Sequence, residues 1–437
     1  MKIAVIGAGI AGLSAAYDLL AKGFDVTLYE ASDLAGGLAG GFRDEQWEWP
    51  LEKFYHHLFQ SDKEIIGLVD ELGMSDQLFF PRPTTSVIFR EKIVPFDSPQ
   101  RWITFPGFNL LDVARFGLVS AYLRFSKPWR NLEKETADVW LRRWYGDKIY
   151  EMTWLPMLIG KFGPYYREAN MAWMWARLHV RSPKLGYFVG GFQVFVDRLA
   201  GAVNDRGGKI LFNSPVQEIR RGENDQLEVV SDGEIAIYDW VLATTAPAQL
   251  ARMAPSLTEN YLSQLMNLKS MGAVVLTMAF KQPLMTESHT YWLNIPADSP
   301  DKRQNDFPFL ALVEHTNYID REHYGGDHII YCGDYVTPDH PYLSMDKDEL
   351  EELFAGVLHR INPAFKRDWI RRSWLFRAKY AQPVPVVNHS QNIPDLRTPL
   401  PGLYLASMSQ VYPWDRGTNF AVEIGRRVAQ LMIEDMV

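Results

Sequence analysis

The spacing of apolar and polar residues changes period several times along the chain, and each change predicts an element. Ile3–Ile6 is an apolar run of the length of a buried strand. Leu13–Lys22 then repeats apolar residues at helical spacing, Gly23 stops it, and Asp25–Tyr29 reads as a second strand ending at Glu30. Lys63–Leu72 predicts an amphipathic helix closed by Gly73, and Thr85–Phe89 with Lys92–Phe96 predicts a hairpin around Arg90-Glu91. Residues 106–185 carry mostly helical patterns. Within them Leu110–Phe125 is rich in Leu, Val and Phe but is interrupted by Asp112, Arg115 and Arg124. That pattern fits either a core-facing helix or a surface for lipid or a lipophilic substrate.

Gly190-Gly191 opens a further helix with Phe192, Phe195, Val196 and Leu199 on one face. Short strands follow, and Asp239–Pro247 reads as a buried one. From Gly272 the pattern becomes β-rich, through Ala273–Phe280, Tyr291–Leu293, Phe309–Glu314 and His328–Tyr331, which predicts a separate antiparallel sheet. Lys347–Ile361 is helical in pattern, Gly402–Ala406 is a short strand, and Asn419–Met432 is a closing amphipathic helix.

A chain of 437 residues is too long for one core and suits two or three domains. The net charge of −8 argues against a nucleic acid as the main partner. Cys332 is the only cysteine, so no intramolecular disulfide forms, and a reducing, cytoplasmic setting is expected. No signal peptide and no membrane-spanning run stand out in the sequence.

The opening unit carries the clearest chemistry. Gly7, Gly9 and Gly12 stand at G-x-G-x-x-G spacing between a strand and a helix, with Glu30 at the end of the next strand. Gly7 permits the tight turn, Gly9 leaves room for a pyrophosphate at the helix N-terminus, and Gly12 lets helix and sheet approach. Glu30 can accept ribose hydroxyls, so the unit predicts a dinucleotide site. His56 and His57 lie among aromatics, as half-buried structural residues or as contacts to a substrate or cofactor. A metal site there is not expected, because adjacent side chains of an extended chain point opposite ways.

Gly36-Gly37 soon after Glu30, Gly190-Gly191 before a helix, Val216 after Gly207-Gly208, the strand Asp239–Pro247 and the closing strand–loop–helix form a wider pattern. It resembles the FAD-dependent superfamily of amine oxidases, protoporphyrinogen oxidases and phytoene desaturases. Trp140, Gly146, Pro156 and Gly160 resemble the helical segment of protoporphyrinogen oxidases. The stretch around His56 and Asp62 is similar to one in UDP-galactopyranose mutases, although Phe59 stands where those enzymes have a second histidine. Two departures stand out: Leu38 where an arginine is common, and Ala406-Ser407 where Gly-Asp is usual.

The resemblance implies a two-domain α/β + β flavoprotein with a Rossmann-like FAD domain of the glutathione-reductase type. Residues 1–60, 185–270 and 395–437 would form that domain, 61–105 and 271–394 an antiparallel-sheet substrate domain, and 106–184 a helical insertion. FAD, bound without a covalent link, is expected at Gly7, Ala8, Gly9, Ile10, Ala11, Gly12, Glu30, Ala31, Gly36, Gly37, Leu38, Val216, Thr244, Ser407, Arg416, Gly417, Thr418 and Asn419. His56, His57, Lys379, Tyr380, Tyr412 and Trp414 are the substrate-pocket candidates. The activity expected is hydride transfer from a C–H bond of a small, lipophilic or aromatic substrate to flavin N5. The alternatives are a nucleotide-sugar mutase using reduced flavin and a non-catalytic FAD-binding protein. Peripheral contact with a membrane is compatible with this class.

Overall fold

The computed structural model describes residues 1–127 and 129–436. Its first sheet has five parallel strands in the order Lys209–Leu211, Asp25–Tyr29, Lys2–Ile6, Trp240–Ala243 and Leu403–Leu405. Alternation of side chains divides these strands between two cores. Ile3, Val5, Val26, Leu28 and Leu242 meet the helices Ile10–Ala21, Phe192–Asp205 and Thr418–Met436. Ala4, Ile6, Val241, Ala243, Leu403 and Leu405 face an antiparallel meander of Val216–Arg221, Leu227–Ser231 and Glu234–Tyr238. The last helix seals the first. A Cβ at Gly425 would lie 2.3 Å from the Ala11 carbonyl oxygen, so only glycine allows this approach.

The second sheet has seven strands, ordered Ile370–Pro383, Ser270–Phe280, His328–Val336, Ala311–Glu314, Thr290–Asn294, Thr84–Phe89 and Lys92–Pro95. It corrects the expectation of a wholly antiparallel sheet, because Thr84–Phe89 runs parallel to Thr290–Asn294. These two strands come from chain segments separated by the helical region, so no tight hairpin dictates their direction. The hairpin at Arg90-Glu91 does form, with φ of 49° and 62°, the pair of left-handed residues that a type I′ turn requires. Cys332 sits in a central strand, opposite Leu276 on one side and Leu312 on the other, and is fully buried.

Against the seven-stranded sheet packs a helical layer containing Leu110–Phe125, Ala137–Tyr145, the nearly continuous run Asp147–Phe162 and Met171–Val180. Its core of Tyr145, Tyr150, Phe162, Trp173 and Trp175 continues into Met271, Ala273 and Tyr335 of the seven-stranded sheet. The helix predicted over Lys347–Ile361 ends at Ala355, and a separate turn covers Leu358–Arg360.

Candidate active site

The strands Lys2–Ile6, Asp25–Tyr29, Trp240–Ala243 and Leu403–Leu405 are parallel, so all end at the same edge of the sheet. The crevice beyond such an edge is where ligands bind in this type of sheet. Here Gly7, with φ of 105°, turns the chain into the first helix. A Cβ at Gly12 would lie 2.0 Å from the Gly7 carbonyl oxygen, which makes that glycine a requirement of the fold. Gly9 differs: a Cβ there meets nothing closer than Gly37 Cα at 4.0 Å. The Gly36 N–H donates to the Ala8 carbonyl at 2.9 Å, so the second glycine pair lies against the first turn.

The Glu30 carboxylate accepts the Ala8 N–H at 2.8 Å, the Ser32 N–H at 2.9 Å and the Ser32 hydroxyl at 2.7 Å. The helices Ile10–Ala21 and Thr418–Met436 have no acidic side chain in their first turns, which leaves their free N–H groups and positive dipole ends available to an anion. An open space above Gly9, a carboxylate at the ribose position and two anion-ready helix ends fit an FAD.

Several predicted residues have other partners. Thr244 Oγ1 donates to the Ile6 carbonyl at 2.9 Å and so braces the sheet edge. Ser407 Oγ accepts the Ser409 N–H at 3.2 Å, capping a short turn. Asn419 Oδ1 accepts the N–H groups of Glu64 and Ile65 at 2.9 and 3.2 Å. It caps the helix Lys63–Glu71, because Asp62 bonds Phe59 N–H and leaves that end open. Leu38 packs against the helical core. Val216 begins the meander, two residues after Ser214, whose N–H bonds the Glu30 carbonyl at 2.8 Å.

A second set of groups faces these from the helical layer and the seven-stranded sheet. Asp415 accepts Trp173 Nε1–H at 3.0 Å, Arg177 Nη1–H at 3.0 Å and Gln382 Nε2–H at 3.2 Å. Burial pushes its carboxyl up, but Lys161, Arg177 and these hydrogen bonds outweigh burial and hold it below the usual range. Arg416 donates from Nε to Gln382 Oε1 at 2.9 Å, and its guanidinium carbon lies 5.2 Å from the Tyr335 ring centre. Its terminal nitrogens have no acceptor among the described residues. Burial lowers Arg416 to about 10, so it stays charged at neutral pH.

Lys161, only 6% exposed, projects from the helix Leu155–Phe162. Its Nζ lies 4.4 Å from the Tyr335 ring centre and 5.9 Å from that of Trp173. Burial moves its pKa well down, and Asp415 opposes the shift. Arg181, at the C-terminal end of the helix Met171–Val180, is exposed to solvent.

His56 and His57 follow the buried strand Leu51–Glu52. His56 Nδ1 donates to the Phe54 carbonyl, and burial lowers its pKa to about 4. Burial, then Arg181, lowers His57 to about 3, and its ring meets the edges of Phe59 and Trp292. Both are neutral at physiological pH. Tyr55 shares this loop, with its ring edge-on to Trp292 and Tyr331.

Lys379 and Tyr380 are corrections to the pocket reading. Two residues of Ser270–Phe280 span the stretch in which Ile370–Pro383 passes from Ala378 to Gln382. This bulge re-aims the side chains. Lys379 is exposed, and the Tyr380 hydroxyl accepts from Arg252 at the surface. Gln382 points inward instead and is 1% exposed. Tyr412 donates to Glu133 at 3.1 Å and accepts from Asn170 at 3.0 Å, a structural strut. Trp414 stacks between Trp175 and Phe420.

Lys161, Tyr55, Tyr335 and Gln382 escaped sequence reasoning because they come from four distant segments. Only Lys161 left a signal, as the single charge in the apolar helix LPMLIGKF.

Beneath the loop, Glu52 accepts the Tyr187 hydroxyl at 2.9 Å and the Phe192 N–H at 2.9 Å. Burial raises its carboxyl to about 7 from 4.5. The folded state therefore holds this proton more tightly than the unfolded chain, and stability from this group declines as pH rises from about 4.5 to 7. Glu52→Gln removes that titration. Denaturant unfolding of the FAD-loaded protein at pH 5 and pH 8 should show the variant gaining on the wild type with rising pH, by on the order of 3 kcal/mol. A pH-independent difference would refute the assignment.

A family model described as flavin containing amine oxidoreductase matches residues 10–433. The chain belongs to the flavin-containing amine oxidoreductase family. It is an FAD-dependent oxidoreductase of that family. A probable zeta-carotene desaturase of Synechococcus elongatus is 22% identical, over 99% of each chain. The 15-cis-phytoene desaturase of the same organism is 20% identical, over 99% of this chain and 96% of that one. Among solved structures, a putative protoporphyrinogen oxidase from Exiguobacterium has a TM-score of 0.77 at 18% identity, over 99% of each chain. A reduced UDP-galactopyranose mutase has a TM-score of 0.75 at 16% identity, over 99% of this chain and 95% of that one. These structural likenesses establish a shared fold. No helix among the described residues is long and apolar enough to cross a membrane.

Proposed function

We propose that this flavoenzyme takes a hydride from a C–H bond of an apolar, electron-rich organic substrate, leaving a C=C or C=N bond. The observation that carries this reading is the meeting of Arg416, at the start of the last FAD-side helix, with Tyr335 and Gln382 of the seven-stranded sheet, near Lys161. The FAD, when bound, supplies the two-electron acceptor at its N5. Gly9, Glu30, Gly36 and Gly37 would hold its dinucleotide part, and Arg416 with the N–H groups of Thr418 and Asn419 would serve its ring system. Val216 would serve the adenine end, while Thr244 and Ser407 brace the backbone around the site. Tyr335 and Trp173 supply apolar walls, and Trp414 supports them from the stack behind.

Loss of a hydride leaves one proton on the neighbouring carbon or nitrogen. Lys161, whose Nζ lies against the Tyr335 ring, is the group placed to accept it, because burial moves its pKa well down, toward the form that can take a proton. His56 and His57, held neutral, line the wall without adding charge. The full-length match to two carotene-pathway desaturases supports an apolar substrate, extended rather than compact.

A second reading has its own observation. Arg181 and Arg416 are cations with no carboxylate partner among the described residues, as a diphosphate site requires, and a UDP-galactopyranose mutase shares the fold. Anaerobic flavin bleaching separates the two. Bleaching by a polyene or porphyrinogen, without added reductant, is the expected result. Turnover of a UDP-sugar only after dithionite reduction, with no bleaching by the apolar substrates or by amines, would overturn the hydride-transfer reading.

A further inference from the structure

The helix Leu110–Phe125 turns its most apolar side to solvent. Leu110 is 81% exposed, Leu111 81%, Leu118 73% and Phe125 82%, and Tyr122 is exposed beside them. At the helical repeat these residues, with Ala114 and Ala121, share an arc of about 120° that contains no charge. The opposite side buries Phe116 and Leu123 in the helical core. The interruptions of the pattern are all tied down away from the arc. Asp112 pairs with Lys148, Arg115 donates to the Trp144 carbonyl at 2.6 Å, and Arg124 donates to the Leu178 carbonyl at 3.2 Å. The apolar area extends through Tyr122, which stacks on Trp140, to exposed Trp144.

Charge decides what covers it. Residues 99–134 hold six cations and two acids, in a chain of net charge −8. Arg101, Lys127, Arg130 and Lys134 are exposed around this helix, while Glu133 is buried. A second copy of the chain would bring the same cations face to face, whereas an anionic leaflet complements them. We propose that Leu110–Phe125 docks the enzyme in the plane of a membrane surface with anionic headgroups. The apolar arc enters the acyl boundary, Tyr122 and Trp144 lie at headgroup level, and the flanking cations meet lipid phosphates. The helix is about 24 Å long, suited to lying on a bilayer. This inference stands apart from the chemistry proposed above, because none of its residues lines the cleft.

Co-sedimentation of the FAD-loaded chain with vesicles tests it. The wild type should pellet with phosphatidylcholine vesicles containing phosphatidylglycerol, and less with phosphatidylcholine alone or at high salt. Leu118→Glu with Phe125→Glu should lower partitioning about tenfold or more with flavin content and fold unchanged, since both side chains are exposed. Lys127→Glu with Arg130→Glu should weaken binding to the anionic vesicles only. The proposal fails if the wild type stays in the supernatant with both lipids, or if the Leu118/Phe125 variant pellets as well as the wild type. It also fails if the wild type forms a dimer, without lipid affinity, that the same variant dissociates.

Discussion

Gly9→Asp should give a folded chain that purifies without flavin. The two glycines of the first turn differ in what they accommodate. Gly12 is crowded by protein, since a Cβ there would lie 2.0 Å from the Gly7 carbonyl oxygen, and its replacement damages the fold itself. Gly9 has extended backbone with φ of −72°, and its Cβ position is open to 4.0 Å. The protein alone does not demand a glycine there; a ligand does. A carboxylate at this site is compatible with the positive end of Ile10–Ala21, so the thermal midpoint of the apo chain should stay within a few degrees. The same carboxylate fills the pyrophosphate space and repels a second anion where solvent screens poorly, which weakens FAD binding about 100-fold or more. The flavin-to-protein absorbance ratio after purification and after reconstitution measures this. Normal flavin content in the variant would remove the cofactor from this crevice.

Arg416→Met should have the opposite signature, with flavin retained and its reduction slowed. Arg416 has a charged guanidinium whose terminal nitrogens lack acceptors among the described residues, in a cleft where the Asp415 carboxylate is already paired with Arg177. Methionine keeps much of the volume over Tyr335 and removes the charge. Removing a preorganised donor of this kind lowers rates by about 100-fold. The loss should fall on the rate of anaerobic bleaching at saturating substrate. A change confined to KM would instead assign Arg416 to substrate binding alone. Retained bleaching rate and KM together would make it structural, a partner for Gln382 only.

The contrast between these variants follows from how the site is built. Gly7, Gly9, Gly12 and Glu30 were readable because a phosphate-binding turn is local: strand, glycines and helix occupy consecutive residues, and backbone sterics select the glycines; Gly36 and Gly37 were marked by the family resemblance. Periodicity alone likewise marked the closing helix and the hairpin at Arg90-Glu91. Lys379 and Tyr380 leave the pocket because alternation does not run through a bulge: four residues from Ala378 to Gln382 span two of the partner strand, and the side chains between them are displaced. Asn419 and Thr244 lie near the expected place, yet their side chains complete distant backbone groups that a linear reading does not pair with them.

The order of amino acids was enough to specify a dinucleotide-binding strand–turn–helix unit and a β-rich second layer, since these rest on local turns and on periods of hydrophobicity, while the flavin class followed from the resemblance of widely spaced motifs to a known superfamily. Which charges share the cleft was settled by packing. Lys161, Asp415, Arg177, Arg416 and Gln382 meet there from separated segments; burial then lowers Lys161 and Arg416, while the neighbouring cations and hydrogen bonds hold Asp415 below its usual range. Packing also settled that Leu110–Phe125 shows its apolar arc to solvent. A helical period records that a helix has an apolar face, but only the seating of Phe116 and Leu123 on the other side shows which face the core has taken.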